Sequence, residues 1–268
     1  MKIARICLLA LSLIFAWLPG LRAEVRIENI KFRAAENGPI RTDSAFSLGE
    51  WIHMSLDIAG LSLDGAGMQD VDLYITAIHE SGQTLMPRKR MLAIQQKPLY
   101  TQNRVAAALR LLPGSDWPEG KYVVTLEAGD RAADKTGRAK VEFVQTGLKP
   151  ALINLALAAD KDGEVHLPWV VQKGMKAFIL TTISGLTYGE QSEADFTLDV
   201  LVRKEGKELV GQSRVLTYSG RLKEKSELIP AHVSLPFNLS GDLSYELVLT
   251  DRLADRKMKA VMPIRVID

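Results

Sequence analysis

The chain is poor in the residues that perform chemistry or cross-link small folds. Its one cysteine, Cys7, lies in an N-terminal segment read below as a leader. The mature protein is therefore expected to have neither a disulfide nor a thiol nucleophile, and to depend on its apolar cores for stability. Four histidines, His53, His79, His166 and His232, are scattered singly, none with a second ligand at metal spacing. There is no GxSxG elbow, no HExxH pair and no GxxxxGK[ST] loop. These absences argue against an enzyme, and no cofactor is expected.

Charge of one sign is also lacking. The full chain has 34 basic and 32 acidic residues, a net of +2, but Lys2, Arg5 and Arg22 all lie in the leader. Removing these three basic residues takes the net charge to −1, which leaves no basic excess for nucleic acid or an acidic membrane surface. Long apolar runs are confined to Ile6–Leu18, interrupted only by Ser12. With a basic start and small Ala23 at its end, this stretch predicts a signal peptide over 1–23. It is too short for a bilayer span, and no integral span is expected in the mature chain. Cys7 precedes most of the apolar run, so it does not read as a lipoprotein cysteine. An exported chain without disulfides points to a bacterial periplasmic or secreted protein.

What the chain does contain is a long internal repeat. Asn29 returns as Asn154, Gly38 as Gly163, Gly49 as Gly174, Asp70 as Asp195 and Leu73 as Leu198. Ile58, Ala59, Gly60 and Leu61 return as Ile183, Ser184, Gly185 and Leu186, and the run from Asp130 to Lys135 is answered by Asp251 to Arg256. A period this long is a copied domain rather than a solenoid unit. It divides the mature chain into 24–146 and 147–268, joined through Thr146, Gly147, Leu148, Lys149 and Pro150.

Both copies read as strands. Val71, Leu73, Ile75 and Ala77 alternate with polar neighbours, and Phe196, Leu198, Val200 and Val202 answer them. Ile52, Met54, Leu56 and Ile58 match Ala177, Ile179, Thr181 and Ile183. Ala107, Leu109 and Leu111 align with Val233, Leu235 and Phe237. Ser81–Gly82 and Glu205–Gly206 predict tight reversals. Seven or eight short strands per copy, without a convincing amphipathic helix, predict an all-β chain of two β-sandwiches.

Pro118, Glu119, Gly120, Lys121 and Tyr122, followed by an alternating strand and Asp130–Arg131, resemble the penultimate strand and last hairpin of immunoglobulin-like and fibronectin-III-like domains of exported bacterial proteins. The resemblance implies two tandem immunoglobulin-like β-sandwich domains, with Tyr122 as a tyrosine corner. In the second copy the tyrosine, Tyr245, comes two positions later. The resemblance implies no activity.

The candidate sites follow from the same comparison. Asp130 and Asp134, with Asp251 and Asp255, put two carboxylates at each hairpin tip, which are weak candidates for calcium. Neighbouring Arg131, Lys135, Arg138, Arg252, Arg256 and Lys257 offer neutralisation without metal. The run from Asp160 to Glu164 resembles a fragment of a calcium loop but lacks the remaining ligands, and reads as a turn. If Ile52, Met54 and Leu56 face inward, Trp51 and His53 face outward, as do Phe178 and Leu180. Misplaced apolar residues of this kind mark a contact surface, with the other domain as the first expectation and a partner protein or a sugar as the second. Trp117 and Trp169 lie in turn-rich segments, as sugar-stacking platforms or as caps on the sandwich cores.

The expectation is a non-enzymatic exported binding or structural module of the cell envelope, whose partner is an envelope or secreted protein. The alternatives are a pilus-type periplasmic chaperone that donates an edge strand, with Ala139, Val141 and Phe143 as the donor row, and a carbohydrate-binding or calcium-dependent adhesin.

Overall fold

The computed structural model describes residues 24–98, 103–222 and 225–268. The signal peptide read over 1–23 lies outside them. The described chain is all-β: sixteen strands in four sheets, with no helix long and apolar enough to cross a membrane.

The first eight strands are β1 (Arg26–Arg33), β2 (Ala45–Ser47), β3 (Ile52–Ala59), β4 (Gln69–His79), β5 (Thr84–Gln96), β6 (Arg104–Leu111), β7 (Gly120–Asp130) and β8 (Lys135–Thr146). They form a three-stranded sheet in the order β1-β3-β6 and a five-stranded sheet in the order β2-β8-β7-β4-β5. The next eight are β9 (Ala151–Ala158), β10 (Val170–Gln172), β11 (Lys176–Ser184), β12 (Glu193–Lys204), β13 (Lys207–Arg221), β14 (Leu228–Pro236), β15 (Gly241–Asp251) and β16 (Arg256–Ile267). Their sheets, β9-β11-β14 and β10-β16-β15-β12-β13, repeat the first pair strand for strand. Among the described residues no ladder joins the first eight strands to the last eight. All the pairings are antiparallel except β2 with β8 and β10 with β16, which are parallel.

Alternation decides which face is buried. Ile52, Met54, Leu56 and Ile58 are buried in β3, and so are Val71, Leu73, Ile75 and Ala77 in β4. With Tyr122, Val124, Leu126 and Phe143 they form one apolar cluster between the two N-terminal sheets. A second cluster, containing Ile179, Leu198, Leu247 and Met262, lies between the two C-terminal sheets. Burial on this scale is the main stabilising term in a chain without cross-links. The stretch from Arg104 is a strand, because its alternate residues Val105, Ala107, Leu109 and Leu111 meet that core.

The faces match the sequence reading, but one register does not. Leu111 pairs with Ile52, whereas Leu235, rather than Phe237, pairs with the corresponding Ala177. The alignment of Ala107, Leu109 and Leu111 with Val233, Leu235 and Phe237 is thus displaced by two residues. A shift of two keeps every side chain on its face, so periodicity alone does not reveal it.

The repeated loops have local causes. Gly60 and Gly185 both have positive φ, and each is crossed by the incoming chain: a Cβ on Gly60 would lie 2.0 Å from the Glu24 carbonyl oxygen, and one on Gly185 would lie 2.8 Å from the Pro150 nitrogen. Glu205 and Gly206 both have positive φ in the two-residue turn between β12 and β13. Asn29 and Asn154 take positive φ at matching bulges in β1 and β9.

Tyr122 anchors one end of the N-terminal core. Its ring lies between Phe143 at 4.9 Å and Trp117 at 5.1 Å, both stacked, and its hydroxyl donates to the Pro118 carbonyl at 2.7 Å. Tyr245 packs against Phe237 at 5.1 Å, and burial pushes its phenol up to about 12. Among the described residues its hydroxyl makes no corresponding backbone bond. Tyr122→Phe is therefore expected to cost about 1 kcal/mol in urea unfolding, the net worth of one hydrogen bond, while Tyr245→Phe leaves the midpoint nearly unchanged.

Candidate functional site

The repeated hairpin tips are bound into the backbone. Asp130 is 2% exposed; one carboxylate oxygen accepts from the Ser62 amide at 2.8 Å and the other from the Ala132 amide at 3.0 Å. Asp251, fully buried, accepts from the Thr187 amide at 3.0 Å, the Ala254 amide at 3.4 Å and the Arg256 guanidinium at 3.0 Å. Ser62 and Thr187 occupy matching places in the loops that cross from one sheet to the other. Asp134 and Asp255 are exposed and have positive φ, the conformation that closes each four-residue turn. Three of the six flanking cations are engaged elsewhere: Arg131 with Asp70, Arg252 with Asp195 at 3.2 Å and Arg138 with Glu127. Backbone amides take the part that the sequence reading gave to several of these arginines. Among the described residues no group of three or more His, Cys, Asp or Glu side chains is arranged to hold a metal ion.

The calcium-like fragment is also a turn. Asp160 accepts from the amides of Asp162, Glu164 and Val165 at 2.9–3.1 Å, and these bonds hold its carboxyl below the usual aspartate value. Positive φ falls on Gly163 in this copy but on Asn37 in the other, one residue earlier than the Asn37–Gly38 match implies.

Of the five binding candidates, the structure brings two together. Trp51 and His53, both half-buried, line an open groove of about 1090 Å³ over the outer face of β1-β3-β6. Arg110 from β6 lies over the Trp51 ring, 4.9 Å from its centroid. Lys31, Arg33, Glu36 and Asp57 supply charge, and Ala106 and Ala108 leave room. Trp117 is a correction to the platform reading: it is buried and stacked on Tyr122, so one ring face is taken. Trp169 is likewise buried in the second core. Phe178 meets His232 edge-on at 6.1 Å, and Leu180 lies under the loop at Gly163, where a Cβ would approach its Cδ1 to 2.7 Å. Neither lines the groove.

The groove adjoins a junction between the first and last eight strands, through residues that the sequence did not single out for contact. The Asn154 side chain accepts from the Trp51 amide at 2.8 Å and donates to the Gly49 carbonyl at 2.9 Å. It thus engages the backbone on both sides of Glu50. Leu228 covers Gly49, where a Cβ would lie 2.5 Å from Leu228 Cδ1, and Ala35 enters the second apolar cluster. His166 Nδ1 is 3.8 Å from Glu36 Oε2. The recurrence of Asn29 as Asn154 was the visible signal, but it reflects the shared bulge; Asn29 instead donates to Asp57 at 2.7 Å. Burial lowers the His53 pKa, Glu36 opposes that shift, and Arg110 and His166 reinforce it.

No protein-family model matches the chain, and no curated protein sequence is similar to it. Among solved structures, the chain is similar to the Pseudomonas fluorescens alkylpurine DNA glycosylase AlkC bound to DNA containing an abasic site analogue, at 15% identity and a TM-score of 0.31 over 46% of this chain. That match spans 30% of the glycosylase chain. It is also similar to the C-terminal domain of the Streptococcus agalactiae AgI/II polypeptide BspA, at 13% identity and a TM-score of 0.29 over 88% of this chain and 99% of that one. Likeness of this degree assigns neither a fold type nor a role.

Two outcomes follow. Asp130→Ala strands two amides and is expected to cost about 2–4 kcal/mol in urea unfolding, with a chelator leaving the wild-type melting temperature unchanged. A lowered His53 pKa means that the unfolded chain binds this proton more readily, so its contribution is complete above the ordinary 6.5 and is lost as pH falls from there through the lower folded-state pKa. Melting curves from neutral to mildly acidic pH should show this loss, and His53→Gln should reduce it.

Proposed function

We propose that the chain is a non-enzymatic, exported protein-binding module of the bacterial cell envelope, periplasmic or secreted. In this reading it comprises two tandem immunoglobulin-like domains, 24–146 and 147–268, behind a cleaved leader. The strand order, with the first strand of each half shared between both sheets through β1 and β2 or β9 and β10, supports the immunoglobulin-like assignment. The Tyr122 hydroxyl on the Pro118 carbonyl supports it in the first domain.

The observation that carries the binding reading is the contrast between repeated and unrepeated residues. The repeated carboxylates of Asp130 and Asp251 are bonded to backbone amides, whereas unrepeated Trp51, His53 and Arg110 line an accessible groove. A tryptophan beside an arginine at the rim of a groove is a composition favoured at protein interfaces. The adhesin alternatives are less supported: Asp130 and Asp251 are occupied by amides, and Trp117 lies within the core. Strand donation by Ala139, Val141 and Phe143 is also less supported, because Phe143 is buried against Tyr122 and the other two pack on the same core. Lending that row to another protein would open the donor's own sandwich.

The test is a photo-crosslinking amino acid at position 51 of the full chain in its native cell. The expected result is a discrete protein adduct that Arg110→Glu diminishes. Adducts only to glycan or lipid, or none at all, would overturn the reading.

A further inference from the structure

Every sheet has two edges, and an unpaired edge is a template for another strand. Seven of the eight described edges are blunted. β2 and β10 have three residues each. β1 and β9 are broken by the bulges at Asn29 and Asn154. β5 and β13 have several register shifts, and β5 carries Arg88, Lys89 and Arg90. β14 contains Pro230.

β6 is neither short, bulged nor interrupted by proline, and its charges, Arg104 and Arg110, stand toward its two ends. It pairs with β3 in unbroken register from Arg104 to Leu111, has neither proline nor bulge, and is uncharged from Val105 to Leu109. Its successive residues Ala106 to Arg110 line the groove, which also reaches Met91 and Leu92 of β5. The comparison with β14 is exact in register: Ala106 faces Asp57, and Pro230 faces the corresponding Thr182. Proline is tolerated at position 230 where the missing amide would point away from the sheet. By the same register, the Ala106 amide points outward, towards an incoming strand.

Charge selects the occupant. Arg110 has no carboxylate partner among the described residues, and Lys31 stands exposed in the same groove. Antiparallel pairing of two copies centred on Ala107 would set Arg104 opposite Arg110, which like charges disfavour. We propose that β6 is an acceptor edge for an extended segment of a partner protein. The segment carries a carboxylate opposite Arg110 and small side chains opposite Ala106 and Ala108. This deepens the binding reading above and rests on it.

The test uses the full chain and a fluorescent peptide about eight residues long, alternating valine and threonine with glutamate at each end. Two control peptides carry terminal lysines or main-chain N-methyl groups. The glutamate peptide is expected to bind, and both controls to fail. Ala106→Pro, checked by circular dichroism, should weaken binding about tenfold through lost ladder bonds. Arg110→Glu should reverse the preference between glutamate and lysine peptides. Equal binding to wild type and Ala106→Pro, or binding of none of the peptides, would overturn the proposal. So would a wild-type dimer that Ala106→Pro dissolves, because the edge would then belong to a second copy. A native partner crosslinked through Trp51 equally well in Ala106→Pro overturns strand addition while leaving the binding reading intact.

Discussion

The carboxylates of Asp130 and Asp251 are the constraint around which each half is arranged. Each stands at the end of a strand in a five-stranded sheet and accepts the amide of a residue in the loop arriving from the three-stranded sheet. One side chain thereby fixes both its own hairpin and the crossing between layers. A buried carboxylate is costly unless its oxygens are satisfied, and here backbone donors satisfy them, joined at Asp251 by Arg256. The neighbouring glycines complete the arrangement: Gly60 and Gly185 let the incoming chain pass close to that same crossing.

With the crossings fixed, the two faces of each sheet can diverge. Inward residues preserve the alternation that fills the cores. Outward residues of the first three-stranded sheet create an open, charged groove, and those of its counterpart supply Asn154 to the junction. One ancestral-looking unit is thus used twice, once with its outer face accessible and once with that face partly occupied by the other half.

The features set by near neighbours were legible in the sequence. Strand faces, the Glu205–Gly206 turn and the position of Tyr122 depend on periodicity and local backbone conformation. Features set by distant residues were not. Nothing near Asp130 in sequence indicates Ser62, and nothing near Trp51 indicates Asn154, 103 residues away. Trp117 read either as a platform or as a core cap because the choice depends on its stacking against Tyr122 of the following strand. The two-residue displacement of β6 relative to β14 escaped notice because it leaves the inward pattern unchanged. Where the copies agree they mark the scaffold; where they differ, the sequence singled out Trp51 and His53 of the groove but not the Arg110 and Lys31 that line it with them.

The short parallel pairings have a mechanical consequence. The strand Ala45–Ser47 runs alongside Val144–Thr146, near the C-terminal end of the first half, and Val170–Gln172 runs alongside Arg265–Ile267 in the second. Tension applied through the two ends of either half pulls such parallel strands in opposite directions. Their hydrogen bonds then share the load in shear instead of opening one after another, so each half resists stretching at the places where the chain enters and leaves its five-stranded sheet.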